Sequence, residues 1–147
     1  MNIQIHNENN VANEFQKEQI INFLFHHLEE YGDPKNDIKK SLDYAMGENQ
    51  KAGGTVLYST NPENQEISGA VILNKTGMKG YIPENILVYI ATDKNLRGKG
   101  IGKALMQKAI EVTNGDIALH CEPENPARKL YEKLGFTSKY LEMRLKK

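Results

Sequence analysis

Apolar residues in the first third of the chain follow a two-residue period and then a three-to-four-residue period. Alternation within residues 1–10 predicts a short strand. Over residues 13–31 the apolar positions lie three or four apart and a glycine follows them, which is typical of an amphipathic helix and its end. Asp33 and Pro34 then offer an N-cap and a first helical position, and the next apolar stripe predicts a second helix that ends at Gly47.

The middle of the chain carries β-rich runs and one further helix. Residues 55–60 and 66–73 are joined by a Pro- and Asn-containing turn, which predicts a hairpin. Residues 86–91 are apolar without alternation, as expected of a strand covered on both faces, and we expect this strand to be central. Helical spacing over 101–112 and an apolar run over 116–121 predict a third helix and another strand.

The last third of the chain predicts a fourth helix and a final strand. Asn125 can cap that helix, Pro126 fits its first position, and Gly135 marks its end. Residues 136–145 alternate loosely and predict the final strand. The element order is therefore β-α-α-β-β-β-α-β-α-β, an α/β (α+β) fold with helices packed on a mixed sheet, and residues 1–147 are expected to form a single domain.

Composition and charge exclude several classes of protein. The 147 residues include 19 basic and 19 acidic side chains, so there is no basic excess of the kind that binds nucleic acid. Cys121 is the only cysteine, which rules out an intramolecular disulfide, and the four histidines show no zinc-ligand spacing, so we expect no metal. The polar N-terminus and the lack of a long apolar run indicate a cytoplasmic protein with no membrane partner.

The segment Arg97-Gly98-Lys99-Gly100-Ile101-Gly102-Lys103 is the most informative stretch of the sequence. It stands between a predicted strand and an amphipathic helix, where glycines let the backbone approach a ligand and the first helical amides suit phosphate. Its spacing fits neither the P-loop of NTPases nor the dinucleotide-binding fingerprint. A tight turn without a ligand is the alternative interpretation of the three glycines.

Two ordered motifs give the chain a resemblance to the GNAT N-acetyltransferases. Arg-x-x-Gly-x-Gly at the start of a helix resembles that family's acetyl-CoA-binding motif, and Asn125-Pro126-Ala127-Arg128-Lys129-Leu130-Tyr131-Glu132-Lys133-Leu134-Gly135-Phe136 resembles its Asn-x-x-Ala-x-x-x-Tyr-x-x-x-Gly-Phe segment. The match covers about residues 86–136 and implies a mostly antiparallel sheet flanked by about four helices. Thr92-Asp93-Lys94 departs from the Val-x-Pro that is frequent in the family.

The resemblance implies a set of coenzyme A contacts. The pyrophosphate would lie on the amides of the glycine segment, and the pantetheine arm would pair with backbone groups of the preceding strand as an added strand. Asn125 would hydrogen-bond the pantetheine amides, or act only as a helix cap. The implied cofactor-binding residues are Ile90, Thr92, Arg97, Gly98, Lys99, Gly100, Ile101, Gly102, Lys103 and Asn125.

The resemblance also implies catalytic residues. The Tyr131 hydroxyl would protonate the departing thiolate, although Tyr131 also lies on the apolar stripe of its helix and can be a core residue. Glu84 is the candidate base acting through water, with a solvated strand-end glutamate as the alternative. Cys121 lies in an apolar strand and is better explained as core than as a nucleophile.

These residues imply an acetyl-CoA-dependent N-acetyltransferase that transfers acetyl directly to a primary amine within a ternary complex. The amine can be a small molecule or a peptide, and the protein is expected to be a monomer or a homodimer. A non-catalytic acyl-CoA-binding sensor is the alternative function, and it would keep the phosphate-binding turn without turnover.

Overall fold

The computed structural model describes residues 1–147 as five strands and four α-helices, with short 3₁₀ turns between some of them. In chain order the elements are β1 (Asn2–Asn7), α1 (Glu14–Leu28), α2 (Lys35–Ala45), β2 (Gly54–Thr60), β3 (Ile67–Lys75), β4 (Asn85–Thr92), α3 (Ile101–Val112), β5 (Ile117–Leu119) and α4 (Arg128–Lys133). The predicted hairpin is the β2–β3 pair, and both helices before it are present.

The strands form one sheet in the order β1-β2-β3-β4-β5. The first three pairings are antiparallel and only β4–β5 is parallel, which confirms a mixed, mostly antiparallel sheet. The expectation that residues 86–91 form the central strand is wrong, because β3 occupies the middle of the sheet. Six consecutive residues of β3, 68–73, are buried, whereas only three of the eight residues of β4 are buried.

Each face of the sheet carries its own apolar core. Helices α1 and α2 cover one face, and α3 and α4 cover the other. Because side chains alternate across a strand, Val56 packs with α1 and α2 while its neighbour Leu57 packs toward α3. Both are fully buried, and each such side chain contributes about 1.5–3 kcal/mol of transfer free energy. The two helical layers therefore fix the sheet between them.

The helix starts differ in how their free amides are satisfied. Asn13 and Gln16 form a reciprocal capping box at α1, as expected of a polar residue before an apolar stripe. At α2 the helix begins at Lys35 without any side-chain cap, so the predicted capping role of Asp33 is wrong. The carboxylate of Asp33 instead accepts a hydrogen bond from the Tyr89 hydroxyl of β4.

The predicted final strand over residues 136–145 does not form. Its alternating apolar side chains are 81–89% exposed; they are Tyr140, Leu141, Met143 and Leu145. Local alternation suits a strand, but a strand exists only where a neighbour supplies a hydrogen-bonded ladder. The outermost strand, β5, has only three residues, and this segment does not pair with it.

None of the helices combines the length and the apolar character needed to cross a lipid bilayer.

Candidate active site

The sheet has an opening between β4 and β5. Only residues 85–87 of β4 pair with β5, at 117–119, and β4 then continues to Thr92. On its other side β4 remains paired with β3 through Thr92. Residues 88–92 therefore present unpaired backbone groups toward the gap, and an extended ligand can pair with them as an additional strand.

A β-bulge at Val88 coincides with the start of this opening. Tyr89 pairs with Ile72, and Leu87 pairs with Leu73, so Val88 is the additional residue. A bulge bends the strand and increases its local twist. It also changes the alternation of side chains, because Val88 and Tyr89 both pack toward α1 and α2. We attribute the divergence of β4 from β5 to this bulge.

The glycine turn lies between β4 and α3. Gly98 and Gly100 have φ values of 83° and 81°, in the left-handed region where glycine carries no Cβ penalty. A Cβ built at either position would meet no atom within 4 Å, so the space over the turn is open. The first bond of α3 runs from the Ala104 amide to the Gly100 carbonyl at 3.0 Å. The amides at 101–103 precede it and lack an intrahelical acceptor, which suits an anionic ligand.

Gly102 joins three elements of the site. A Cβ at this position would lie 3.5 Å from Thr92 Cγ2 and 3.5 Å from Leu130 Cδ2. The start of α3, the end of β4 and α4 therefore meet at one point. Leu130 is followed by Tyr131, so the same packing brings the predicted acid to the face of the sheet beside the opening.

Tyr131 is a buried residue with a free hydroxyl. The residue is 6% exposed, and its ring makes an edge contact with Phe136 at 6.0 Å between centroids. Burial, with a smaller effect from Cys121, raises the pKa of the phenol to about 12. The Tyr131 hydroxyl makes no hydrogen bond to the chain, and it is not one of the two polar side-chain atoms, His6 Nε2 and Thr113 Oγ1, that are both buried and without a partner. The Tyr131 hydroxyl is therefore not sealed in the core, and it stays protonated at neutral pH.

A family model for the acetyltransferase (GNAT) family matches residues 13–136, more than four fifths of the chain. The chain belongs to the GNAT acetyltransferase family. It is therefore an acyltransferase, and the resemblance based on the two motifs is confirmed. A search of curated proteins finds no significant match.

Solved structures similar to this acetyltransferase share its fold at low sequence identity. A probable acetyltransferase superposes with a TM-score of 0.71 at 16% identity, over 100% of this chain and 99% of the other. An aminoglycoside antibiotic 6'-N-acetyltransferase from Acinetobacter haemolyticus gives 0.67 at 12%, over 100% and 98%. A ribosomal-protein-alanine N-acetyltransferase from Brucella melitensis biovar Abortus 2308 gives 0.62 at 17%, over 99% and 98%.

Glu84 of this GNAT protein precedes β4 and is held by backbone amides. Its Oε1 accepts the Asp116 amide at 2.7 Å and its Oε2 accepts the Gly80 amide at 3.1 Å. These hydrogen bonds, chiefly that from Asp116, lower the pKa of the carboxyl. A Cβ at Gly115 would collide with Glu84 at 2.5 Å, so Gly115 leaves room for the carboxylate. Glu84 thus joins the residue before β4 to the residue before β5, at the end of the sheet where these two strands are paired.

The other predicted coenzyme A contacts lie around the turn and before α4. Asn125 Oδ1 accepts the Ala127 amide at 2.9 Å in the turn that leads to α4, which begins at Arg128 and not at Pro126. Its Nδ2 makes no hydrogen bond to the chain and remains free to donate. Arg97 lies 3.9 Å from Glu29.

The remaining predicted coenzyme A contacts lie on the glycine turn, on α3 and on β4. Lys99 and Lys103 are exposed on the turn and on the first turn of α3. Ile90 and Thr92 are half-buried in the unpaired segment of β4, and Ile90 packs toward α3. Burial raises the pKa of the Cys121 thiol, which disfavours the thiolate needed by a nucleophile and agrees with a packing role.

Two contacts that the sequence did not reveal join the α1–α2 region to β4 and to the loop after it. The Tyr89 hydroxyl donates to Asp33 Oδ2 at 2.5 Å. The Lys94 amide donates to His27 Nδ1 at 3.3 Å. Both pairs are more than 50 residues apart in the chain, so no local pattern could have indicated them.

Two cavities lie away from the β4–β5 opening. A cavity of about 350 Å³ is lined by Asp43 and Glu48, which contact Lys17, and one of about 240 Å³ is lined by Lys17 itself; each has a single hydrophobic lining residue. Neither cavity is lined by Tyr131 or by a residue of the glycine turn. The structure contains no group of three side chains arranged to hold a metal ion.

Proposed function

We propose that the protein is an acetyl-CoA-dependent N-acetyltransferase that transfers acetyl directly to a primary amine within a ternary complex. The observation that carries this proposal is the convergence of three features at one place. These are the unpaired backbone of residues 88–92, the free amides at the start of α3, and the free hydroxyl of Tyr131. An extended thioester with a pyrophosphate needs the first two, and its departing sulfur needs the third.

In this proposal the pyrophosphate is bound by the glycine turn. The space over Gly98 and Gly100 is open, the amides of residues 101–103 lack an intrahelical acceptor, and the positive end of the α3 dipole favours an anion there. Arg97 braces the turn through Glu29 or reaches a phosphate, while Lys99 and Lys103 add positive charge. The fit is supported by the absence of any atom within 4 Å of a Cβ at Gly98 or Gly100.

The pantetheine arm lies along the open edge of β4. Its amide groups pair with backbone groups of Ile90 and Thr92, as an added strand would. The unused Nδ2 donor of Asn125 reaches the arm from the opposite wall of the gap. These contacts depend on the backbone of β4 more than on its side chains, so they tolerate the departure of 92–94 from the family pattern.

Chemistry then consists of one acyl transfer. The amine lone pair attacks the thioester carbonyl, the C–N bond forms and the C–S bond breaks. Tyr131 donates a hydrogen bond to the sulfur as negative charge develops there, and its proton completes the free thiol. Solvent resupplies the Tyr131 proton and removes the proton of the new amide. Acetyl-CoA supplies the activated acyl group, while the protein supplies position and the acid.

No second catalytic group is essential to this scheme. An amine that arrives neutral needs no base. Glu84 remains the candidate base acting through water, although both of its oxygens already accept backbone amides. A base role for Glu84 is therefore a separate hypothesis, which the acyl transfer itself does not require.

The acceptor is proposed to be an amine by analogy with two structural relatives. The names of both the aminoglycoside-directed and the ribosomal-protein-alanine enzymes state transfer to nitrogen. Their acceptors differ greatly in size, so the analogy supports the amine and not a particular substrate.

The proposal is tested by thermal denaturation with coenzyme A and by turnover of acetyl-CoA with a panel of amines. The panel contains n-butylamine, 1,4-diaminobutane, lysine amide and a tripeptide with N-terminal alanine. We expect stabilisation by coenzyme A and amine-dependent release of thiol. Stabilisation without turnover on any amine would instead support the acyl-CoA sensor, and absence of stabilisation would reject both functions.

A further inference from the structure

Asp33 occupies an unusual position between α1 and α2. The local sequence predicts it as the N-cap of α2, but the helix begins at Lys35 and Pro34 occupies the N-cap position. Instead, its Oδ2 accepts a hydrogen bond of 2.5 Å from the Tyr89 hydroxyl, and α2 begins without a side-chain cap. The residue itself is exposed. The Asp33 carboxylate therefore bonds to a side chain of β4 and does not cap α2.

Tyr89 belongs to the unpaired segment of β4. It is the first residue after the bulge at Val88, and its side chain packs toward α1 and α2. Tyr131 packs on the opposite face of the sheet. Burial, followed by the hydrogen bond to Asp33, raises the pKa of the Tyr89 phenol, so this group remains a donor. The opening is therefore flanked by a phenol on one face and by a fixed carboxylate on the other.

Asp33 also lacks the cationic partner that neighbouring carboxylates have. Asp37 lies 3.8 Å from Lys40, and Glu29 lies 3.9 Å from Arg97. No lysine, arginine or histidine nitrogen lies within 4.0 Å of the Asp33 carboxylate. Its only hydrogen bond from a side chain is the one that the Tyr89 hydroxyl donates. One carboxylate oxygen is thus held by a neutral donor, and the other is free for an incoming cation.

We propose that Asp33 binds the ammonium group of the acceptor and that Tyr89 is the positioning residue that holds the carboxylate beside β4. This inference rests on the proposed function, because it assigns the acceptor end of the same site. A primary amine in neutral water is mostly an ammonium ion, and a fixed carboxylate recognises it by a charge-assisted hydrogen bond. On leaving Asp33 the ammonium ion loses its proton to solvent, and the neutral amine approaches the thioester from the α1–α2 face, while Tyr131 donates to the sulfur from the α3–α4 face.

The test compares Asp33→Asn with Asp37→Asn as a matched control on the first turn of α2. Wild type and variants are titrated with 1,4-diaminobutane and with the alanine tripeptide in saturating coenzyme A, and KM for each amine is measured where turnover occurs. We expect Asp33→Asn to raise the amine Kd or KM by about 10- to 100-fold, the size of a lost charge-assisted bond. Asp37→Asn should change it less than about twofold.

Tyr89→Phe separates positioning from binding. It keeps the carboxylate and removes the group that holds it, so we expect a smaller rise in the amine KM, about 3- to 10-fold. Stabilisation by coenzyme A should be unchanged in all three variants. A purely structural role of the pair would lower the melting temperature while leaving the amine KM unchanged.

The outcomes distinguish this inference from the function on which it rests. Amine binding equal in Asp33→Asn and wild type would overturn the inference and leave the acetyltransferase proposal standing. Coenzyme A binding by a wild-type protein that binds neither amine would also overturn it. Failure of the wild type to bind coenzyme A would reject the proposed function itself.

Discussion

At the scale of single residues, Tyr131 has a ring that is buried in the core and a hydroxyl that is available as a proton donor. Its ring lies in the α3–α4 core, and its raised pKa keeps the phenol neutral over the whole physiological range. The sequence left a choice between a core residue and an acid. The packing satisfies both, because the ring fills the core while the hydroxyl makes no bond that the core needs.

Tyr131→Phe should therefore lower kcat with little change in stability. The substitution keeps the ring contact with Phe136 and removes only the acid, so we expect a fall in kcat of about 10- to 1000-fold. The melting temperature and the coenzyme A affinity should be close to those of the wild type. Measured kcat beside the melting temperature decides the role, and unchanged turnover would remove Tyr131 from the mechanism.

Glu84→Gln tests whether the carboxylate is a base or a tie between backbone segments. Because backbone amides lower its pKa, the carboxylate is a weak proton acceptor, and glutamine loses one of its two acceptor oxygens. We expect a lower melting temperature, an unchanged pH profile of kcat/KM and a kcat within about threefold of wild type. A large fall in kcat with unaltered stability would instead assign Glu84 as the base.

At the scale of elements, the site depends on two local departures from regular structure. The bulge at Val88 coincides with the divergence of β4 from β5, and the left-handed glycines turn the chain into α3 at a place where the space over the turn is open. The bulge and the glycine turn have different sequence requirements. The bulge depends on pairing with β3, whereas the turn depends directly on residues without a Cβ.

Gly100→Val should abolish stabilisation by coenzyme A. A branched residue at φ 81° strains the N-cap of α3 and places a side chain over the amides that receive pyrophosphate. Gly77→Val is the matched control, because Gly77 has a φ of 77° and open space around it but lies in the β3–β4 loop. The control should show a similar loss of intrinsic stability and a normal coenzyme A shift in thermal denaturation. Equal shifts in both variants would contradict the phosphate-binding assignment.

An ion network joins α1 to α2 on the face of the sheet opposite to α3 and α4. Lys17, only 4% exposed, lies 3.1 Å from Asp43 and 2.6 Å from Glu48. The lysine carries its charge into the protein and requires these partners. The network is remote from the glycine turn, so it contributes to stability and not to chemistry.

Removal of one acid should therefore cost more than removal of the lysine. We expect Asp43→Ala to lower the free energy of unfolding by about 1–3 kcal/mol, because it leaves Lys17 with fewer partners. Lys17→Met should stay within about 1 kcal/mol of wild type, since an apolar chain replaces a desolvated charge. Asp37→Ala, which breaks an exposed pair, provides the control at about 0.5 kcal/mol or less. Urea denaturation measures all three, and a larger loss for the lysine would contradict this account.

At the scale of the whole molecule, the shifted pKa values set the pH range of stability. The carboxyl pKa of Asp43 is lowered mainly by hydrogen bonds to two lysines, although burial opposes it, and burial lowers the pKa of His27. For both groups the unfolded chain binds more protons as pH falls, so acid favours unfolding. Tyr131 and Lys17 have raised pKa values, which means that the unfolded chain loses protons first at high pH.

We expect stability to be greatest between about pH 7 and 9. The free energy of unfolding should fall below about pH 6.5 as His27 titrates and further near pH 4 with the carboxyls. It should fall again above about pH 10. Urea denaturation from pH 4 to pH 10.5 measures the curve, and His27→Gln should flatten its slope between pH 5 and 7. Equal stability of the wild type at pH 5.5 and pH 7.5 would contradict the expectation.

The sequence by itself determined the local elements and the chemistry of the glycine turn. Hydrophobic period and glycines act over a few neighbours, so the helices, the hairpin and the turn before α3 were recoverable from the chain alone, whereas the predicted starts of α2 and α4 were not correct. The motifs at 97–103 and 125–136 indicated the family because both resemble its segments and follow each other in the same order, and the family model confirms the assignment.

Only the tertiary structure decided which strand is central, whether the last segment forms a strand, and what lies across from the opening. Residues 136–145 alternate like a strand but find no ladder, and β4 stands beside the centre because pairing partners are chosen at long range. The contact between Asp33 and Tyr89 joins positions 56 residues apart, and it replaces a helix cap that the local sequence favours. Local patterns encode periodicity and turns, whereas register, gaps and side-chain partners depend on contacts between distant segments.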